Sequence, residues 1–77
     1  MEILTFGITR EIVGASKLVV QEQFGSVGAL RNHLLKKYPK LAKLNSLAIA
    51  VNETYAEDSD VLNGNEVVAL IPPVSGG

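Results

Sequence analysis

Glu66-Val67-Val68-Ala69-Leu70-Ile71-Pro72-Pro73-Val74-Ser75-Gly76-Gly77 is the stretch on which the fold turns. An apolar strand, Glu66 to Ile71, runs straight into two prolines. Neither proline has an amide hydrogen and both hold an extended backbone, so a sheet ladder cannot pass through them. Within the strand, Val68 and Leu70 share one face, while Val67, Ala69 and Ile71 share the other. Val74 to Gly77 carries too little apolar surface to offset its own ordering entropy. A folded body over residues 1–71 is therefore expected, followed by a flexible tail over 72–77. At about 3.3–3.6 Å per residue, that tail reaches roughly 20 Å from the body. Its terminal Gly76 and Gly77 lack Cβ atoms, so the thread fits a channel that excludes side chains.

Working back through the chain, Glu2-Ile3-Leu4-Thr5-Phe6 alternates as a strand that ends at Gly7. Ile3 and Thr5 lie on one face, Leu4 and Phe6 on the other. Ile8 to Gly14 reads as a short helical turn closed by Gly14, with Arg10 and Glu11 outward. Lys17 to Gln21 is β-branched and reads as a second strand, antiparallel to the first. Ser26 is a good helix N-cap, and Val27, Leu30, Leu34, Leu35 and Tyr38 follow at helical spacing. Ala29, Asn32 and Lys36 fall on the wet side, and Pro39 ends the helix.

Leu47 to Val51 forms a third long strand, with Leu47, Ile49 and Val51 on one face and small alanines on the other. Asn52-Glu53 is a tight turn, and Thr54-Tyr55-Ala56 a short return strand. Glu57, Asp58 and Asp60 form an acidic loop, Val61-Leu62 tucks in, and Asn63-Gly64-Asn65 is a strong turn signal. The order is thus β-β-α-β-β-β, an α+β domain with one long helix. One helix covers one sheet face. The other face then carries Phe6, Tyr55, Val67 and Ile71, an apolar patch of the kind that marks a partner site.

A chain of 77 residues that is 47% hydrophobic makes one small domain. At this size roughly 60% of the unfolded surface is buried, enough for a single core. With no cysteine there is no disulfide, thiolate nucleophile or zinc–thiolate site. No apolar run approaches the ~20 residues of a membrane span, and no signal peptide is visible. The expected location is the cytoplasm. A net charge of −1, with two tyrosines, two phenylalanines and no tryptophan, argues against nucleic acid. Arg31, Lys36, Lys37, Lys40 and Lys43 gather in one region and read as a solvated, dipole-matched helix end.

No catalytic constellation is present. The acids Glu53, Glu57, Asp58 and Asp60 lie in or near an acidic loop, and loops are usually wet, whereas a pair for acid–base work needs burial. His33, the single histidine, reads as a solvated surface residue without a second ligand. Gly25 and Gly28 flank the helix start, a weak general anion site. The remaining possibilities are a plain binding module, which explains the patch but not the tail, and a carrier whose reactive group is its own C-terminal carboxylate. Such a carboxylate needs adenylation by ATP before a sulfur nucleophile can give a thioester or thiocarboxylate.

Over its whole length the chain resembles the small subunit of molybdopterin synthase, a ubiquitin-like sulfur carrier with a β-grasp fold. The resemblance is carried by Phe6, Thr9-Arg10-Glu11-Ile12-Val13-Gly14, Ser26-Val27 with Ala29-Leu30-Arg31, and Ala50-Val51-Asn52. It continues through Leu62 to Val68 and, most specifically, through Pro72-Pro73-Val74-Ser75-Gly76-Gly77. The turn Asn63-Gly64-Asn65-Glu66 departs from the family, which commonly has the glycine one position later.

The resemblance implies a mixed sheet with one main helix on one face. It also implies adenylation of Gly77 by a ubiquitin-activating-type adenylyltransferase and conversion to a thiocarboxylate by a sulfur donor protein. Pro72, Pro73, Val74, Ser75 and Gly76 would enter the large subunit, where sulfur passes to cyclic pyranopterin monophosphate. Phe6, Tyr55 and Ile71 correspond to the family's docking positions. No cofactor is implied on the carrier itself, the ATP being used by the activating partner. Carriers for thiamine thiazole synthesis share the fold and the terminal glycines but usually lack the double proline. Tungsten-pterin synthesis and tRNA thiolation are further acceptor pathways for such a carrier.

Overall fold

A computed structural model describes residues 1–73 of the chain; the expectations for Val74, Ser75, Gly76 and Gly77 lie outside the described residues. Eight elements follow in order: β1 (Glu2–Thr5), α1 (Ile8–Val13), β2 (Lys17–Val19), α2 (Val27–Lys37), a 3-10 helix (Pro39–Lys43), β3 (Ala48–Val51), β4 (Thr54–Tyr55) and β5 (Val67–Ile71). The strands form one sheet in the order β2-β1-β5-β3-β4. β1 and β5 pair in parallel, with Thr5 opposite Leu70, and the other neighbours are antiparallel. This is the mixed sheet of a β-grasp, α+β, with α2 as its main helix.

The core lies between the sheet and the helical layer. Ile3, Ile49, Val68 and Leu70 supply the sheet side, Val27, Leu30 and Leu34 the α2 side, and all are almost fully buried. The strand alternation places these residues inward and leaves Leu4, Phe6, Val67, Ala69 and Ile71 on the far side, as expected. α1 ends where Gly14 takes a left-handed φ of 85°, a conformation that costs glycine little. Ser26 caps α2 by accepting the Ala29 amide at 3.2 Å. The Asn52–Glu53 turn places both residues at positive φ, 49° and 70°, as a two-residue type I′ hairpin requires.

Several local expectations change. The 3-10 helix was not expected; it buries Leu41 beneath α2, and α2 with this segment forms one layer. Of the pair Val61-Leu62 only Leu62 is buried; Val61 stands in solvent beside an isolated bridge to Ser26. β2 stops at Val19 instead of Gln21, although Val20 stays in the core. β3 starts at Ala48, β4 stops at Tyr55, and Glu66 belongs to the turn before β5.

Three polar expectations change as well. Arg31 is not part of a solvated basic helix end: its Nε donates to Asp58 at 2.9 Å and its Nη1 to the Leu47 carbonyl at 2.6 Å. His33 is half-buried, its ring tilted against Phe24 at 4.9 Å between centroids, with Glu22 3.8 Å away. The start of α2 is not an open anion site, because its first amides are already bonded. Val27 donates to the Asp60 carbonyl and Gly28 to the Asp58 carbonyl, each at 2.9 Å. The acidic loop thus caps the helix with its backbone.

Candidate functional site

The sheet face opposite α2 is a shallow apolar groove of about 630 Å³. Its shape follows from the register. Leu4 pairs with Ala69, Ala69 with Ala50, and Ala50 with Tyr55. The middle of that row therefore carries only methyl groups, and the floor dips between larger neighbours. The ladder ends with Thr5 opposite Leu70, and the residues that follow each of them, Phe6 and Ile71, both line the groove. On the other side Val67 lines the groove, next to Asn52 and Glu53.

Phe6 is 43%, Tyr55 72% and Val67 38% exposed, unusually high for large apolar side chains. All four expected docking residues, Phe6, Tyr55, Val67 and Ile71, line this groove. Leu4, Ala50 and Ala69 lie between them; the alternation already assigned these three to this face. Asn52 and Glu53 were missed. Their signal is the hairpin turn itself, which carries them onto the rim. Asn52 also pins the start of β5: its Oδ1 accepts the Val67 amide at 3.0 Å, and its own amide donates to the Val67 carbonyl at 2.9 Å.

β5 leaves the groove at Ile71 and continues into Pro72 and Pro73, both half-buried. Gly77 and the tail residues Val74, Ser75 and Gly76 lie outside the described residues. Among the described residues, no group of three His, Cys, Asp or Glu side chains is placed to hold a metal ion. None of the described helices is long and apolar enough to cross a membrane. The groove exposes contiguous apolar surface, with Glu53 on its rim.

Comparison with known proteins agrees with this architecture. Residues 3–77 match the ThiS family. The molybdopterin synthase sulfur carrier subunit of Haemophilus influenzae is 36% identical over all of this chain and 99% of its own. Subunits 1 and 2 of the molybdopterin-converting factor from Helicobacter pylori have been solved as a complex. One chain of that complex is similar with a TM-score of 0.68 and 26% identity, over 99% of this chain and 96% of that one. The small archaeal modifier protein 1 of Methanosarcina acetivorans shares the fold, with a TM-score of 0.82 at 22% identity over 99% of this chain and 94% of that one. The chain belongs to the ThiS family, and its likeness there is to the sulfur carrier subunits of molybdopterin synthase.

Proposed function

We propose that this chain is the sulfur carrier subunit of molybdopterin synthase. The Gly77 carboxylate attacks the α-phosphate of ATP on a partner adenylyltransferase and releases pyrophosphate. Sulfide-level sulfur delivered by a donor protein then attacks the acyl carbon, displaces AMP and leaves a thiocarboxylate. The charged tail, Pro72 to Gly77, enters the large subunit and gives its sulfur to cyclic pyranopterin monophosphate. Two such transfers complete the dithiolene. The groove of Phe6, Tyr55, Val67 and Ile71 docks the carrier on its partners, whose side chains supply the catalysis.

The observation that carries this proposal is the position of Ile71. It lines the apolar groove and is followed at once by Pro72. Docking surface and tail are thereby joined at one point, so burying the groove brings the start of the tail to the partner. The curated relatives' names and the two-subunit complex from Helicobacter pylori support the same partner.

The test is the intact mass of the protein purified from its native cells together with whatever binds it. Replacement of one carboxylate oxygen by sulfur, with a molybdopterin synthase large subunit attached, is the expected result. The same mass with a thiazole synthase attached moves the chain to thiamine synthesis. A Gly77 deletion should melt like the full chain and accept no sulfur. A terminus that stays unmodified with activating enzyme, ATP and sulfide overturns the proposal.

A further inference from the structure

β1 gives way to α1 through a corner at Gly7. Its φ of 53° and ψ of −128° suit the first central position of a type II′ turn and strain any residue with a Cβ. The Thr9 amide closes this turn on the Phe6 carbonyl at 3.0 Å. Thr9 is fully buried. Its hydroxyl donates to the Phe6 carbonyl oxygen at 2.6 Å and accepts the Phe6 amide at 2.8 Å. One buried side chain thus satisfies both polar groups of Phe6, where β1 pairing has ended.

The same corner leans on β5. The Thr9 hydroxyl oxygen lies 3.5 Å from the Leu70 carbonyl oxygen. A Cβ built on Gly7 would stand 3.5 Å from Cγ of Pro72, an ordinary contact distance, so the proline ring faces the glycine with space for about one methyl group between them. On the opposite side of β5, Ile71 is still paired with Ala48 of β3. The segment entering the prolines is therefore paired to β3 on one flank and bordered by the corner on the other. Pro72 and Pro73 have φ fixed by their rings, which narrows the directions the backbone can take after Ile71.

We infer that the Phe6–Thr9 corner is a guide for the tail, with Gly7 and Thr9 as positioning residues that set the line along which the chain leaves the sheet at Pro72. Because Phe6 belongs to both the corner and the groove, docking and tail direction are held by one turn. The consequence for sulfur transfer rests on the carrier function proposed above; the guiding geometry does not.

The experiment uses the full chain and three variants: Thr9→Val, which keeps the shape and removes the hydroxyl; Thr9→Ser, which restores it; and Pro72→Ala, which removes the ring and leaves the core untouched. Nuclear Overhauser contacts between the Gly7 α-protons and the Pro72 ring report the guide directly. Affinity for the large subunit and the single-turnover rate of sulfur transfer from the thiocarboxylated chain report its effect.

The wild type should show the Gly7–Pro72 contacts. Thr9→Val should lose them and slow transfer by roughly tenfold to a hundredfold, the effect of a small misplacement of reacting atoms, with a smaller loss of affinity because Phe6 also lines the groove. Thr9→Ser should recover both, and Pro72→Ala should slow transfer with an unchanged melting temperature. Absence of the contacts in the wild type overturns the inference. So does full-rate transfer by Thr9→Val and Pro72→Ala, or a parallel loss of affinity and rate. A wild type that shows the contacts, loses them in Thr9→Val and carries no sulfur supports the guide and sinks the carrier function alone.

Discussion

Tyr55→Ala separates docking from folding most cleanly. Tyr55 sits on β4, an edge strand, opposite Ala50, and is 72% exposed. An aromatic side chain presents ~200 Å², so ~50 Å² is buried by the fold and ~150 Å² remains for a partner. At ~25 cal/mol per Å² the first portion contributes at most about 1.3 kcal/mol to folding. That corresponds to a melting shift of no more than about 10 °C in a domain of this size. The second portion contributes up to about 3.7 kcal/mol to binding if the partner covers it fully, within the range of interface anchors. The dissociation constant should therefore rise between ~30-fold and several hundredfold. A circular-dichroism melt measures the folding contribution, and isothermal titration against the large subunit measures the binding contribution. Val61→Ala is the control, since Val61 is 73% exposed but lies on the loop beside Ser26, away from the groove. Affinity for Tyr55→Ala within about threefold of wild type, or an equal loss in Val61→Ala, refutes docking through this face.

Two further predictions concern the loops that frame the sheet. The Glu66 carboxylate accepts the Asn63 amide at 2.7 Å and the Gly64 amide at 2.8 Å. These bonds, that of Asn63 foremost, hold its pKa below the usual carboxylate value. A lowered folded-state pKa confers stability that is full above the unfolded pKa and lost as pH falls through the folded one. Glu66→Gln should therefore have a lower urea midpoint than wild type at pH 7, with the difference narrowing as pH falls below the ordinary carboxylate range and through the lowered folded-state pKa; a constant difference argues against the carboxylate bonds. Arg31→Met should lower stability by about 1–2 kcal/mol, the sum of one partly exposed ion pair and one bond to the Leu47 carbonyl. Chemical denaturation measures it, and an unchanged midpoint shows that the acidic loop holds without the arginine.

The groove is legible in the sequence because it is a product of period-two alternation. Leu4, Phe6, Val67, Ala69 and Ile71 each follow from their inward neighbours Ile3, Thr5, Val68 and Leu70. The caps are legible for a similar reason: Ser26, Gly14 and the Asn52-Glu53 turn have local physical signatures. What escapes is whatever depends on a distant partner. Arg31 looks like one of several basic residues until the loop 27 positions away delivers Asp58 to it. The segment Pro39–Lys43 is too short for a helical period to show, and Leu41 looks like an isolated apolar residue among lysines. His33 gains its shelter from Phe24, on the loop before α2. Thr9 is the sharpest case: a polar residue in a short surface helix becomes one of the most buried side chains, because β5 arrives beside it.

The parallel pairing of β1 with β5 has a consequence for how the protein is made. β5 is the last of the five strands to be synthesised, yet it occupies the middle of the sheet. Until it emerges from the ribosome, β1 with β2 and β3 with β4 are two separate hairpins with no shared ladder. The contacts that join them are long-range, and loop-closure entropy delays such contacts during folding. The groove does not exist before that moment either, since its floor needs Ala69 between Leu4 and Ala50. A truncated or stalled chain therefore lacks the groove through which the proposed docking would occur. On the carrier function proposed above, this strand order makes docking conditional on a chain that is both fully translated through β5 and folded.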